Sequence, residues 1–326
     1  MTHPMLIDIH CHSRRILYPN TAPEDFAGAL RRNRVSVAVL NVVPDGPLLA
    51  FTPGGISVSA PTDDRQIGRY VAKVFEIIES MVAAGEVQRI TSSAELAALS
   101  ETGTPGIVVG IEGADHLGGD LSRIDRDYDR HKLRQMGLVH YLKSALADNQ
   151  TEEESHNGIS AFGKKVVQRC NALGIIVDLA HLSERAMRAV IACSAAPVIC
   201  SHSSIRDPGD DNVRLMPAEI AREIAATGGL IGVWPNATIF PTPECYAAGL
   251  YRLAQDIGVD HVAIGTDRAG LQTSLFPDYT GAENLPEHLQ RSGFSDPDTR
   301  KILGENYIRV FAEIEKIAAQ KEYKSA

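Results

Sequence analysis

Eight short β-branched runs recur along the chain, each bounded by Gly, Pro or polar residues and separated from the next by segments of helical period. They are Leu6 to His10, Val35 to Val43, Gly106 to Glu112, Leu138 to Leu142, Gly174 to His181, Pro197 to His202, Gly229 to Trp234, and His261 to Asp267. Such alternation marks βα units, whose strands pair in parallel because a helix carries the chain back between them. Cores such as Ile175-Ile176-Val177 are nearly unbroken apolar text, as expected of strands buried on both faces. Eight of them predict an α/β fold closed as a (β/α)8 TIM barrel, with residues 1–326 forming a single catalytic domain.

Helical signals fill the intervals. Ser92 and Ser93 offer N-caps to a helix over Ala94 to Ser100, and Glu95 stands at capping-box distance from Ser92. Further helices are predicted over Phe162 to Leu173, Ser183 to Ala192 and Pro217 to Thr227. Two connections, Pro44 to Asp63 and Arg268 to Pro286, are long and irregular, which predicts lids or binding loops.

The net charge of −9 is spread along the chain, and the one short basic group, Arg31, Arg32 and Arg34, reads as the exposed face of the first helix. Nucleic acid is therefore not expected as a partner. Cys11, Cys170, Cys193, Cys200 and Cys245 form no C-x-x-C pair, which favours reduced thiols and a cytoplasmic setting. Met1 to Met5 run into the first strand without a signal-peptide pattern, and no stretch approaches ~18 apolar residues, so no membrane association is expected.

In a barrel of this kind the catalytic groups collect at the carboxyl ends of the strands, where all the βα loops open. His10 and His12 end the first run, Glu112 the third, His181 the fifth, His202 the sixth and Asp267 the eighth, while His140 lies within the fourth. His10 and His12 are two apart and so share one side of a strand. Imidazole and carboxylate suit zinc and related divalent metals. The expected arrangement is a pair of divalent cations, Zn2+ by ligand type, held by His10, His12, Glu112, His181 and His202. Glu112 gives one oxygen to each ion, and a hydroxide shared between them attacks the substrate.

Other residues carry weaker signals. Asp267 suits either a proton-transfer role or a helix N-cap. His3, His131, His156, His261 and His288 read as structural or exposed, His116, four after Glu112, as a surface residue ahead of a member of the site, and Trp234 as a pocket wall or a plug at the barrel top.

Several motifs occur in an order that resembles the renal (membrane) dipeptidase family of zinc metallopeptidases, within the amidohydrolase superfamily. They are Gly110-Ile111-Glu112-Gly113, Leu138-Val139-His140-Tyr141, the block from Phe162-Gly163-Lys164 to Asn171-Ala172-Leu173-Gly174, Val177-Asp178-Leu179-Ala180-His181, Ser201-His202-Ser203-Ser204 and Gly265-Thr266-Asp267. Gly304-Glu305-Asn306 with Arg309-Val310 is similar to the family's closing helix. The resemblance implies hydrolysis of the amide bond of a dipeptide or a similar small acylated amino acid. It also implies that His140 stabilises the oxyanion, Arg214 holds the substrate carboxylate, and Asp267 handles the amine and the transferred proton. Homodimerisation is a further implication of the resemblance.

Three departures stand out. His12 replaces the family's usual Asp on the first strand, Arg268-Ala269-Gly270 replaces Phe-Asp-Gly, and Leu215 replaces the Asn that usually follows Arg214. The last two lead us to expect a rebuilt substrate pocket. They keep open a hydrolase of a lactam, lactone or other small-molecule conjugate, alongside a non-catalytic metal-binding barrel.

Overall fold

The computed structural model describes residues 4–17, 24–52, 55–58, 63–99 and 103–325, which leaves His3 outside the described residues. Eight parallel strands close on themselves: β1 Leu6–Cys11, β2 Val35–Val42, β3 Gly106–Ile111, β4 Leu133–Gly137, β5 Ile176–Asp178, β6 Val198–Ser203, β7 Leu230–Val233 and β8 Val262–Ile264. Each pairs with its sequence neighbours, and β1 pairs with β8 through Asp8 and Ile264, so the predicted TIM barrel is the observed one. A short strand, Gln88–Ile90, pairs with the first half of β3, and β4 takes over from Val109 onward.

The fourth strand corrects the sequence reading. It is Leu133–Gly137, and the run Leu138 to Leu142 with His140 is the loop that follows it. Arg134 and Gln135 hide the strand in the text, because polar side chains argue against a buried strand unless their bonds are satisfied inside. Here they are: Arg134 donates to the carbonyls of Thr91 and Leu133 and lies over the Tyr128 ring, while Gln135 donates to the Ile9 carbonyl and accepts from the Tyr307 hydroxyl.

Two buried clusters hold the barrel. Ile7, Ile9, Val37, Val39, Val108, Ile176, Ile199 and Leu230 meet Tyr307, Val310, Phe311 and Ile314 of the helix Asn306–Ser325. That helix closes the end of the barrel away from the loops carrying the histidines. The second, larger cluster lies between the strands and the surrounding helices. The predicted helices are observed as Ser93–Ala97, Ala161–Leu173, Glu184–Cys193 and Ala218–Ala226. Ser92 caps the first through the Glu95 amide, but the Glu95 carboxylate bonds the Thr91 amide in place of Ser92's. The long connection after β2 contains an antiparallel hairpin, Leu49–Thr52 with Gly55–Val58. Among the described residues no helix is long and apolar enough to cross a membrane.

Candidate metal centre

Strict alternation along β1 would defeat the site. Ile7 and Ile9 pack in the interior cluster, so His10 should face outward. Register prevents this. Between the pairs Asp8–Ala38 and Cys11–Leu40, β1 advances three residues while β2 advances two. The extra residue is a β-bulge, a device that re-aims side chains beside active sites, and it turns His10 toward the barrel mouth. A second bulge lies on β6, where Cys200 to Ser203 spans three residues against two on β7. Ser201 and His202 both bond within the site as a result.

Glu112, in the middle, is 3 % exposed and follows β3, its amide bonded to the Val42 carbonyl. Its Oε1 lies 3.5 Å from His10 Nε2, 2.8 Å from His181 Nε2 and 3.3 Å from His202 Nε2. Its Oε2 lies 3.3 Å from His12 Nε2 and 3.6 Å from His140 Nε2. Two ligand trios result, His10 with His12 and Glu112, and Glu112 with His181 and His202, the donor atoms of each within 4.8 Å of one another. A third trio, His10, His202 and Asp267, overlaps them, and Asp267 Oδ1 is 3.3 Å from His12 Nε2.

These residues fit divalent cations on the structure's own terms. Glu112 Oε1 is buried without a hydrogen-bond partner despite the surrounding ring nitrogens, an arrangement that is costly unless a cation satisfies it. The imidazoles point Nε2 at one another, at 3.3 Å between His10 and His12 and 3.1 Å between His181 and His202. Their far sides are anchored. Ser201 Oγ lies 2.8 Å from His10 Nδ1 and 3.0 Å from His202 Nδ1, and the Asn41 carbonyl lies 3.4 Å from His12 Nδ1. Metal-binding histidines commonly use such contacts to fix their tautomer and ring orientation.

Without metal the imidazoles divide. Burial opposes charge on all four, but Glu112 outweighs it at His10, raised to about 10, and Asp267 with Glu112 at His12, raised to about 9. Burial prevails at His181 and His202, helped at His181 by the Arg214 cation and at His202 by His10, and both fall well below the usual imidazole range.

His140 stands at the rim. Its Nδ1 meets Asp45 Oδ1 at 2.7 Å, and Asp45 Oδ2 accepts the amides of Tyr141 and Leu142. Burial works against the imidazolium, yet Asp45 and Glu112 raise its pKa overall. Asp45 escaped the sequence reading because Pro44-Asp45-Gly46-Pro47 reads as a turn. Ser201 escaped because it was one letter in a motif, without a role of its own.

Arg214 is brought back to the mouth by a bridge between Ile205 and Met216. Its Nη1 donates to Gln150 Oε1 at 2.8 Å and lies 3.0 Å from His181 Nδ1, and its guanidinium lies 5.1 Å from the Trp234 ring centre. Asp267 adopts a left-handed backbone, φ 48°, with its amide on the His10 carbonyl. A Cβ at Gly270 would lie 2.2 Å from Asp267 Oδ1, so a larger residue there would push that carboxylate aside. Arg214, Trp234, Asp267, His140 and Glu112 line one cavity of about 270 Å³.

Trp234 walls this cavity. His116 is buried, 2.9 Å from Asp127, and so joins neither the site nor the surface. His131 stacks on Phe75, and His156 and His261 bond backbone carbonyls. Arg268 and Leu215 are absent from the cavity wall. Arg268 is buried against Glu24, Asp278 and the His12 carbonyl.

Imidazoles around a shared carboxylate thus stand at the carboxyl-end mouth of a closed parallel barrel, a site able to hold divalent cations. Residues 55–325 match the model of membrane dipeptidases, peptidase family M19, and the chain belongs to that family. Dipeptidase tcpJ of Claviceps purpurea is 31 % identical over 73 % of this chain and 56 % of its own length. Human Dipeptidase 3 is 27 % identical over 82 % of this chain and 57 % of its own. The chain thus spans little more than half the length of these curated relatives. The same fold occurs in a metallopeptidase from Rhodobacter sphaeroides, solved with a phosphinate mimic of the dipeptide L-Ala-D-Ala, at TM-score 0.82 and 19 % identity, covering 96 % of this chain and all of that one.

Proposed function

We propose that this protein is a metallo-dipeptidase, a single catalytic barrel that hydrolyses the amide bond of a dipeptide or similar small acylated amino acid. The observation that carries this reading is the pair of ligand trios sharing Glu112 beneath a cavity that also presents one cation, Arg214, and one acid, Asp267. A dipeptide carries the complementary charges, a carboxylate suited to a guanidinium fork and an ammonium suited to an acid. Family membership and the dipeptide mimic bound by the Rhodobacter relative support the same substrate class.

His10, His12 and Glu112 would hold one divalent cation, and Glu112, His181 and His202 the other, with Zn2+ favoured by the imidazole-rich donor set. When bound, such a pair supplies Lewis acidity and a water acidified toward ~7. The chain's own groups do the rest. Arg214 fixes the carboxylate end. Asp267 takes the proton of the attacking water, whose oxygen joins the carbonyl carbon, and returns it to the amine as the C–N bond breaks. His140, whose pKa Asp45 and Glu112 raise, offers Nε2–H to the oxygen that gains charge. Free cysteines, five in number, support a reducing, cytoplasmic setting.

The test is release of free amine from a dipeptide library by metal-loaded protein. Activity should vanish when the substrate's amine is acetylated or its carboxylate amidated. Silence across the library with two ions bound per chain would defeat the reading.

A further inference from the structure

The cavity is two-sided in chemistry, and the two sides are assigned by strand order. In a ring of eight, the loops of β1 and β2 lie opposite those of β5 and β6. Leu17 follows β1, while Val43 and the hairpin Leu49–Thr52 with Gly55–Val58 follow β2; of these, Leu17, Val43, Leu49 and Ile56 line the cavity. In the hairpin Leu49 pairs with Val58 and Phe51 with Ile56, so Leu49 and Ile56 are diagonal neighbours on one face, the one turned to the cavity. From Pro47 to Thr62 the sequence contains no charged residue. Arg214, after β6, stands across from this apolar wall.

On the dipeptidase reading, from which this inference follows, the substrate carboxylate sits on Arg214. The N-terminal residue then occupies the other end, its ammonium toward Asp267 on the β8 loop beside β1. Its side chain faces the β1 and β2 loops. The remaining wall, from the β7 and β8 loops, presents Asn236, Thr238, Gln272 and Thr273, all neutral. Asn236 Oδ1 there is occupied by the Thr238 amide and hydroxyl and the Thr273 hydroxyl. Apart from Arg214, Asp267 and the groups around Glu112, the cavity lining among the described residues holds no ionisable side chain but Tyr141.

We infer that the enzyme selects dipeptides whose N-terminal side chain is apolar, seated against Leu17, Val43, Leu49 and Ile56. A charged side chain at that position would lose its hydration and meet no counter-charge. An aliphatic one would leave water for an apolar surface.

The experiment compares kcat/KM of the metal-loaded enzyme for Leu-Ala, Ala-Ala, Asp-Ala and Lys-Ala. Leu-Ala should exceed Asp-Ala and Lys-Ala by about 100-fold and Ala-Ala by about tenfold. Ile56→Lys, on a hairpin edge at the mouth, should depress Leu-Ala and raise Asp-Ala, shifting their ratio by at least about tenfold, with its fold checked by circular dichroism. Equal rates for Leu-Ala and the charged pair, or an unmoved ratio in Ile56→Lys, would overturn the inference and leave the dipeptidase reading intact. Failure to cut any of the four would remove both.

Discussion

Asp45 holds His140 by Nδ1 at 2.7 Å across 95 residues of sequence, leaving Nε2 facing Glu112 and the cavity. The contact fixes the ring's orientation and favours its charged form. Asp45 itself does not line the cavity, so it acts through the ring it positions.

Replacing that carboxylate with an amide isolates its electrostatic part. Asp45→Asn should lower kcat by about 10²-fold with little change in KM or in bound metal. Because Asp45 raises the His140 pKa and the imidazolium is the hydrogen-bond donor, the alkaline limb of the pH–rate profile should move to lower pH. A proportional rise in KM with kcat preserved would instead mean that Asp45 serves only to shape the pocket.

Ser201 ties the two ligand trios together, with one hydroxyl against His10 and His202. When both rings present Nε2 to cations, both Nδ1 atoms carry protons and the serine oxygen accepts from each. Ser201→Ala should therefore weaken both sites, by about 10- to 100-fold each. Competition with a chromogenic chelator measures this. Loss at one site alone would contradict the shared role.

Metal uptake should depend on pH in a predictable direction. His10 and His12 are raised to about 10 and about 9 in the metal-free chain, and both must shed a proton to become ligands. Apparent affinity should accordingly rise with pH through the neutral range and level off near 9 to 10. The same charges support the metal-free fold: their contribution is complete below the ordinary imidazole pKa of about 6.5 and is lost as pH climbs through the folded values. Calorimetry in buffers of different ionisation enthalpy would count the protons released, and none released at pH 7 would contradict the assignment.

Arg268 should act on stability. Its side chain is 3 % exposed and pairs with Glu24, itself 7 % exposed, and with Asp278. Arg268→Met leaves the Glu24 carboxylate buried and unpaired, which costs about 3 kcal/mol or more and should appear as a lower urea midpoint. An unchanged midpoint with altered substrate preference would place the guanidinium in the pocket instead.

His10, His12, Glu112, His181 and His202 were legible because each lies in or just after a strand that is itself legible, so their convergence needed only the barrel. The phase of β1 was not. Alternation from Ile7 and Ile9 gives the wrong face for His10, and a bulge leaves no mark in composition. β4 was displaced in the reading because Arg134 and Gln135 look like loop residues until Thr91, Ile9 and Tyr307 are seen to satisfy them. The hairpin after β2 was lost among Pro and Gly. Asp45 gains meaning only from a partner far along the chain.

The seam between β1 and β8 joins opposite ends of the chain's topology. The Asp267 amide bonds the His10 carbonyl, and the His12 amide bonds the Arg268 carbonyl, while Arg268 reaches His12 again over a separation of 256 residues. During folding these are among the most non-local contacts the chain makes, and such contacts form slowly. A fragment holding half the ring would own histidines but no centre. Capture of metal is thus a clock for ring closure: a refolding chain should gain its helical signal first and its tight metal binding last.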